Sequence, residues 1–349
     1  MRNSRFLLFC LLLLTLACNQ LDKKDKEQKS STTVTESALT EQNACLLSQI
    51  AYCSDITTAL NTYMPGWKPV WEATELGGNH AFVATNGNEY TLAIRGSLIN
   101  FSWAAFQNWI YQDLHVTSQE KWGFTNDSSN AKLSQGSYDG WQNMSKMVDK
   151  KTGELLLPFL EKELKEDSRL LITGHSLGGN LATVYASYLW QSFKKNGKAG
   201  SNINVITFAA PAAGNEAFAD DFDKKFPASL RIENENDIVP KFPCASKISS
   251  LGKLYTDSLS AGTIMVGYKN LTVSLSKVFT LLNTAMTLLE FTGGVSAYSQ
   301  TNGSGKQVSI PLSGKNSGSD IINWLSEAGH QHSVAQYAVY EKVAVVDCR

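Results

Sequence analysis

The sequence predicts a fold of the α/β class, with a mostly parallel central sheet and helices on both of its faces. Apolar, strand-like runs alternate with helical patterns along most of the chain, which is typical of parallel sheets. The run Leu170–Ile172 is followed by a glycine-containing turn and then by a helical pattern over Asn180–Lys195. About 305 residues follow a polar N-terminal segment, and that length is enough for one large domain with a substantial core.

The first 18 residues are predicted to be a targeting segment. They combine a basic start, an apolar run over Phe6–Leu14 and a small residue before Cys18, which is typical of a secretory signal. The end of the segment resembles a bacterial lipoprotein signal, which would make Cys18 the lipidated first residue of an exported, envelope-anchored protein. Thr15 stands where such signals usually have leucine, so a plain signal peptide cut nearby is the alternative.

The next segment, residues 19–42, is rich in Lys, Asp, Glu, Ser and Thr. Such a composition offers almost nothing to bury and predicts a flexible linker. The domain itself is therefore expected over residues 43–349.

The first half of that domain begins with a helix predicted over Glu41–Tyr52. Two strands are expected on either side of Asn86-Gly87, because Asn-Gly favours tight hairpin turns. A single helix is predicted over Tyr138–Lys165, followed by the apolar strand around Ile172.

The second half continues the alternation with a strand over Asn204–Ala210, a helix over Asn215–Lys225 and a strand over Ser229–Asn234. Apolar positions in Leu271–Phe291, beginning with Leu271, form one face of a long helix. We expect this face to pack on the sheet, with contact to lipid as the alternative. The surrounding segment, near 250–325, is interpreted as an insertion.

Charge and cysteine content limit the functions and the compartment. The chain has 31 basic and 32 acidic residues and no basic stripe, so nucleic acid is not an expected partner. The domain's cysteines are Cys45, Cys53, Cys244 and Cys348, which allow three pairings. Eight residues of helix separate Cys45 from Cys53 by about 12 Å, too far for a disulfide. A bridge from this helix to Cys348 is the pairing we expect.

A candidate catalytic serine lies in the turn Gly174-His175-Ser176-Leu177-Gly178. This G-x-S-x-G pattern alone occurs by chance in roughly one such chain in six, but a strand before it and a helix after it hold the hydroxyl on an exposed bend. A serine nucleophile needs a base and an orienting carboxylate.

The two histidines that follow the serine, His330 and His332, are the candidate bases. Asp237 is the candidate acid because it follows a predicted strand end, with Asp257 and Asp320 as weaker alternatives. Asp220, Asp221 and Asp223 are interpreted as a solvated helix face.

Six segments in order resemble the class 3 lipases, the family of fungal-type triacylglycerol lipases and their bacterial and plant relatives. They lie between residues 44 and 341 and read AIRGS, NWIYQDL, GHSLGG, TFAAPAAGNEAFADDF, NENDIVPKFP and HSVAQY. The resemblance implies the α/β-hydrolase fold and hydrolysis of acylglycerol esters at a lipid interface, with no metal or organic cofactor.

The resemblance also implies the role of each site residue. Ser176 would be the nucleophile, Asp237 the acid and His332 the base, with the backbone N–H groups of Ser97 and Leu177 forming the oxyanion hole. A lid would follow the strand that ends at Ser97, called the oxyanion strand below, and would contact substrate. Its aromatic residues would be Phe101, Trp103, Phe106 and Trp109. An ordinary core helix is the alternative interpretation of this segment.

Other functions stay open at this point. Phospholipase A1 activity could use the same site. A serine peptidase would share the triad. A non-catalytic surface lipoprotein could keep the fold, although Ser176, Asp237 and His332 are all residues competent for catalysis.

Overall fold

The computed structural model describes residues 39–98, 116–126, 130–198, 202–255, 259–268, 271–303, 305–314 and 318–348. The predicted signal peptide with Cys18, most of the predicted linker and the four predicted lid aromatics Phe101, Trp103, Phe106 and Trp109 lie outside these ranges. Within them, no helix combines the length and the apolar character that a membrane crossing requires.

The described strands form a seven-stranded central sheet and two smaller sheets. The central sheet has the order β1-β2-β3-β6-β7-β9-β13. Its pairs β1–β2 and β2–β3 are antiparallel, and the others are parallel. The strands are β1 (Lys68–Glu72), β2 (Ala81–Thr85), β3 (Glu89–Ile94), β6 (Arg169–His175), β7 (Ile203–Phe208), β9 (Leu230–Asn234) and β13 (Lys306–Val308). The mostly parallel sheet predicted from the alternation is confirmed.

The two smaller sheets lie outside this central sheet. One is the antiparallel pair β10 (Met265–Tyr268) and β11 (Leu271–Ser274). The other has the order β12-β8-β5-β4 and contains β4 (Gln119–Lys121), β5 (Lys132–Ser134), β8 (Gly214–Asn215) and β12 (Tyr298–Ser299).

Helices cover both faces of the central sheet, as predicted. The α-helices are α1 (Glu41–Ile50), α2 (Ile56–Tyr63), α3 (Gln135–Lys146), α4 (Leu156–Glu163), α5 (Leu177–Lys195), α6 (Glu216–Lys225), α7 (Ala245–Ile248), α8 (Leu275–Phe291), α9 (Asp320–His332) and α10 (Val334–Tyr340). Short 3-10 helices occupy Val239–Lys241 and Ser249–Lys253.

Alternating strand side chains divide the core between the two faces. Leu92 and Ile172 pack with residues of α5, whereas Ala93 and Leu171, their neighbours in the chain, belong to the clusters on the other face. This follows from the two-residue period of a strand, which sends successive side chains to opposite faces. The parallel strands consequently read as continuous apolar runs.

The continuous helix predicted over residues 138–165 is wrong. The structure has α3 and α4 instead, joined by a hairpin in which Val148 pairs with Leu155. Gly153 adopts φ 72° in this hairpin, a conformation that favours glycine. Pro158 gives the second reason, because a helix running through it would lose a backbone hydrogen bond and meet a steric clash.

The long apolar helix is α8, and its partner differs from the expected one. Leu275, Val278, Leu282 and Met286 are buried on one face as predicted. This face packs on α7 and the 3-10 helix Ser249–Lys253 rather than on the sheet. Leu271, which was expected on the same face, lies in β11 and is exposed.

Two of the carboxylates predicted to form a solvated face of α6 differ in their exposure. Asp220 is exposed, but Asp221 is buried and its Oδ2 lies 2.6 Å from the buried ammonium of Lys225. That ammonium also donates to the carbonyl of Phe124 and the hydroxyl of Ser187. A buried ion pair needs such additional hydrogen bonds to offset the desolvation of both charges.

A disulfide joins Cys53, just after α1, to Cys348 near the end of the chain, across 295 residues. The pairing agrees with the expected bridge to the tail cysteine. Cys45 and Cys244 are buried free thiols, and burial raises the pKa of Cys244 to about 11. Neither thiol is therefore in the reactive thiolate form at neutral pH.

Removing this disulfide is expected to destabilise the domain by up to about 5 kcal/mol, because the bridge closes a very long loop and restricts the unfolded chain. Urea unfolding of Cys348→Ser and of the native protein, with and without dithiothreitol, measures the difference. A Cys244→Ser variant is the control for a cysteine outside the bridge. Equal midpoints for native protein and Cys348→Ser without reductant would contradict the prediction.

Candidate active site

The sharp turn between β6 and α5 places Ser176 at its apex. Ser176 has φ 60° and ψ −130°, in the left-handed half of backbone space, which is strained for a residue with a side chain. Its amide donates to the carbonyl of Phe208 in β7 at 2.9 Å. This bond fixes the strained turn against the neighbouring strand, and the serine side chain therefore stands at the carboxyl edge of the sheet.

The glycines around Ser176 are required by close backbone contacts. A Cβ atom at Gly178 would overlap the carbonyl oxygen of Ile94, and one at Gly174 would overlap the backbone of Gly178. The end of β3 thus lies directly against the first turn of α5. The G-x-S-x-G pattern is in this chain a packing requirement as well as a turn signal.

The structure brings Ser176, His332 and Asp237 together. His332 Nε2 lies 2.8 Å from Ser176 Oγ, and His332 Nδ1 lies 2.8 Å from Asp237 Oδ2. All three residues are buried. Of the two late histidines, both on α9, it is His332 that lies within hydrogen-bond distance of the serine.

The Asp237 carboxylate is fully buried and accepts hydrogen bonds at both oxygens. Val239 N–H donates to Oδ1 at 2.9 Å, and the Tyr337 hydroxyl donates to Oδ2 at 3.1 Å. The Tyr337 oxygen in turn accepts from Asn234 N–H at 2.9 Å. Burial and the nearby Asp237 charge raise the pKa of Tyr337 well above its usual value, so this hydroxyl keeps its proton and remains a donor.

A second hydrogen-bond network, which the sequence did not predict, connects the loop that carries Asp237 to α9. The side-chain amide of Asn234 donates to the backbone carbonyl of Gln331 at 3.0 Å and to its side chain at 2.6 Å. Gln331 also donates to Glu327 at 2.8 Å. Asn234 precedes Asp237 by three residues and Gln331 precedes His332, so these contacts fix the spacing between the carboxylate and the imidazole.

The two predicted oxyanion residues flank Ser176. Leu177 is the first residue of α5, so its N–H has no acceptor within the helix. Ser97 follows the end of β3, whose Ile94 pairs with Gly174. Two backbone donors at such positions could face one oxygen atom bound beside Ser176 Oγ.

A cleft of about 230 Å³ opens next to the serine. Its lining residues are Tyr52, Ser97, His175, Ser176, Gly329, His332, Ser333 and Val334. The cleft therefore contains the hydroxyl, the imidazole and one predicted oxyanion residue. In the described ranges, no group of three or more His, Cys, Asp or Glu side chains is arranged to hold a metal ion.

Comparison with known proteins finds similarity to lipases. The family model for class 3 lipases matches residues 91–247. A secreted mono- and diacylglycerol lipase, MDL5 of Malassezia globosa, is 31% identical over 38% of this chain and 39% of its own length. A lipase of Rhizomucor miehei is 29% identical over 50% of this chain and 43% of its own length.

One relative has a different activity in its name. The chloroplastic phospholipase A(1) DAD1 of Arabidopsis thaliana is 32% identical over 30% of this chain and 22% of its own length. The chain thus spans less than half the length of these three curated relatives.

The fold itself is matched over most of the chain. The crystal structure of M37 lipase superimposes with a TM-score of 0.66, covering 84% of this chain and 90% of that one, at 23% identity. With its parallel sheet, helices on both faces and serine turn, the chain has the α/β-hydrolase fold. From residue 91 to residue 247, it carries the sequence pattern of the class 3 lipase family.

Proposed function

We propose that the protein is a serine ester hydrolase that acts on acylglycerols. The observation that carries this proposal is the chain of two 2.8 Å hydrogen bonds from Ser176 through His332 to Asp237. Ser176 and His332 line the same cleft as Ser97. Nucleophile, base and orienting acid in mutual contact are the arrangement that acyl transfer requires.

Catalysis would proceed through an acyl-enzyme. His332 Nε2 takes the proton of Ser176 as Oγ attacks the ester carbonyl carbon, and the N–H groups of Leu177 and Ser97 stabilise the oxygen that becomes negative. The imidazolium, held by Asp237, gives the proton to the departing alcohol. Water then attacks the acyl-enzyme with His332 again as base, which releases the carboxylic acid and restores the serine hydroxyl.

Acylglycerols are the substrates we favour, because two relatives are named as secreted mono- and diacylglycerol lipases. Phospholipase A1 activity is the second candidate, and three plant relatives bearing that name support it. The same nucleophile and base would serve either ester, so the difference lies in how the alcohol part of the lipid is bound. A surface lipoprotein without activity is disfavoured, because an inactive protein would have no need to preserve this hydrogen-bonded arrangement.

Exposed apolar side chains at the end of α8 support a lipid surface as the place of action. Leu288 is 58% exposed and Phe291 is 88% exposed. The chain just after α8 is tied to the segment from Val116 to Gln119 by two contacts. Gln119 exchanges hydrogen bonds with the backbone of Ser296, and the Tyr298 hydroxyl donates to the carbonyl of Val116. The chain shortly after α8 thus contacts the segment in which the described residues resume at Val116.

We also propose that the protein is exported and anchored to the cell envelope through a lipid on Cys18. The basic and apolar start of the sequence supports export, and so do the relatives named as secreted. Mass spectrometry of membrane-extracted protein would show an acylated Cys18 as the first residue. An unmodified N-terminus in the culture medium would contradict the anchor.

Substrate profiling tests the proposed activity. The purified protein is expected to hydrolyse p-nitrophenyl butyrate and palmitate and to release fatty acid faster from diolein emulsions than from phosphatidylcholine vesicles. A fluorophosphonate probe is expected to label Ser176, which peptide mass mapping would locate. Faster release from phosphatidylcholine would favour the phospholipase. Inertness towards every ester, with and without detergent, together with no labelling, would overturn the hydrolase proposal.

A further inference from the structure

Tyr52 and His175 form a hydrogen-bonded connection on the far side of the catalytic histidine. Tyr52 follows α1, and its Oη lies 3.0 Å from His175 Nδ1. On the opposite side of the ring, His175 Nε2 lies 2.7 Å from the backbone carbonyl oxygen of His332. The two imidazole rings are 4.7 Å apart between centroids. His175 therefore contacts the backbone of His332 and takes no part in the hydrogen bond between His332 Nε2 and Ser176.

The direction of each bond follows from the groups involved. A backbone carbonyl can only accept, so Nε2 of His175 must carry a proton. Burial lowers the pKa of His175 well below its usual value, and the nearby His332 adds to this effect. The ring is thus neutral, Nδ1 is an acceptor, and the Tyr52 hydroxyl donates to it.

The connection continues from Tyr52 to the oxyanion strand. The Tyr52 hydroxyl lies directly against the backbone of Gly96. A Cβ atom at Gly96 would overlap both Tyr52 Oη and the carbonyl oxygen of His175, so these three residues are in tight contact. Gly96 precedes Ser97, a predicted oxyanion donor. One directed chain of hydrogen bonds therefore runs from Tyr52 through His175 to the carbonyl of His332, and Gly96 packs against its start.

We propose that Tyr52 is a positioning residue that holds the oxyanion strand and the catalytic histidine at a fixed separation, acting through His175. The inference rests on the proposed ester hydrolysis. Without the Tyr52 hydroxyl, His175 Nδ1 would lose its donor and Gly96 would lose a packing contact. The imidazole would keep its hydrogen bond to the His332 carbonyl but would be free to turn about that bond. The backbone of His332 would then be held less firmly, and the base would move away from Ser176.

Tyr52→Phe, which removes one oxygen atom, is the direct test. We expect kcat on p-nitrophenyl butyrate to fall about 10- to 100-fold with KM changed less than about twofold, because a small misplacement affects the transition state more than substrate binding. The matched control is Tyr185→Phe, which removes a buried hydroxyl that has no hydrogen-bond partner among the described residues. The control is expected to keep the wild-type kcat.

A structural role alone would lower the melting temperature of Tyr52→Phe and leave kcat per folded molecule unchanged. That result would overturn the proposal. An equal loss of kcat in Tyr185→Phe would do the same, because the effect would then belong to any buried hydroxyl.

Nitrogen-15 NMR of the imidazoles in the wild-type protein provides a second test that needs no substrate and no variant. His175 is expected as the neutral tautomer protonated at Nε2 at pH 7. A tautomer protonated at Nδ1 would overturn the directed chain. If the wild type hydrolysed no ester, the proposed function would fail, and the tautomer measurement would still decide whether the connection exists.

Discussion

Replacing Ser176 with alanine is expected to lower kcat/KM on short esters by about five to six orders of magnitude. The variant has no nucleophile, so only binding and the oxyanion donors can accelerate attack by water. His332→Ala should show a loss of similar size, because the hydroxyl without its base is a poor nucleophile. Stopped assays with p-nitrophenyl butyrate, run at high enzyme concentration, measure both.

The double variant separates a triad from two independent contributions. Residues that act as one unit give losses that do not add, so Ser176→Ala with His332→Ala should be nearly as active as either single variant. Ser145→Ala is the control, since its hydroxyl donates only to the Trp141 carbonyl within its own helix. Residual activity above about 1% in Ser176→Ala would show that another residue is the nucleophile.

Replacing Asp237 with asparagine is expected to lower kcat by about four orders of magnitude with little change in KM. The carboxylate accepts the proton of His332 Nδ1, which leaves Nε2 free to take the proton of Ser176. An asparagine amide at this position could donate to Nδ1 instead. The imidazole would then carry its proton on Nε2 and could not act as a base.

The asparagine variant should fold, because Val239 N–H can still donate to the amide oxygen at the Oδ1 position and the side chain keeps its size. Thermal unfolding of Asp237→Asn checks this, and Asp320→Asn is the matched control at a carboxylate on the first turn of α9. Activity within tenfold of the wild type in Asp237→Asn would exclude the proposed acid. A large loss in Asp320→Asn would point to that alternative carboxylate.

The sheet and the three residues that meet at the candidate site could be predicted because local signals specify them. Gly174 and Gly178 are needed because a Cβ atom at either position would overlap the backbone where β3 and α5 meet. Asp237 follows the end of β9, which is evident from the sequence. Asn86-Gly87 likewise indicated the turn between β2 and β3.

What supports the site could not be predicted in the same way. Tyr52 contacts Gly96 and His175, which are far away in the chain, and no spacing or composition near Tyr52 indicates these contacts. Asp221 appeared solvated on α6 because its pairing with Lys225 inside the protein depends on the chain at Phe124 and Ser187. The partner of α8 was missed for the same reason, since an apolar face shows that a helix packs but not on what.

The return of β13 to the central sheet determines which part of this protein is free to change. Asp237 and His332 are 95 residues apart in the chain and 2.8 Å apart in space. Before it reaches His332, the chain rejoins the sheet at β13, which pairs with β9. The segment between β9 and β13, which contains α8 and its exposed end, therefore begins and ends at two neighbouring strands of the central sheet. Insertions, deletions or exchange of this segment between relatives would change the surface around α8, while Ser176, His332 and Asp237 would keep their positions.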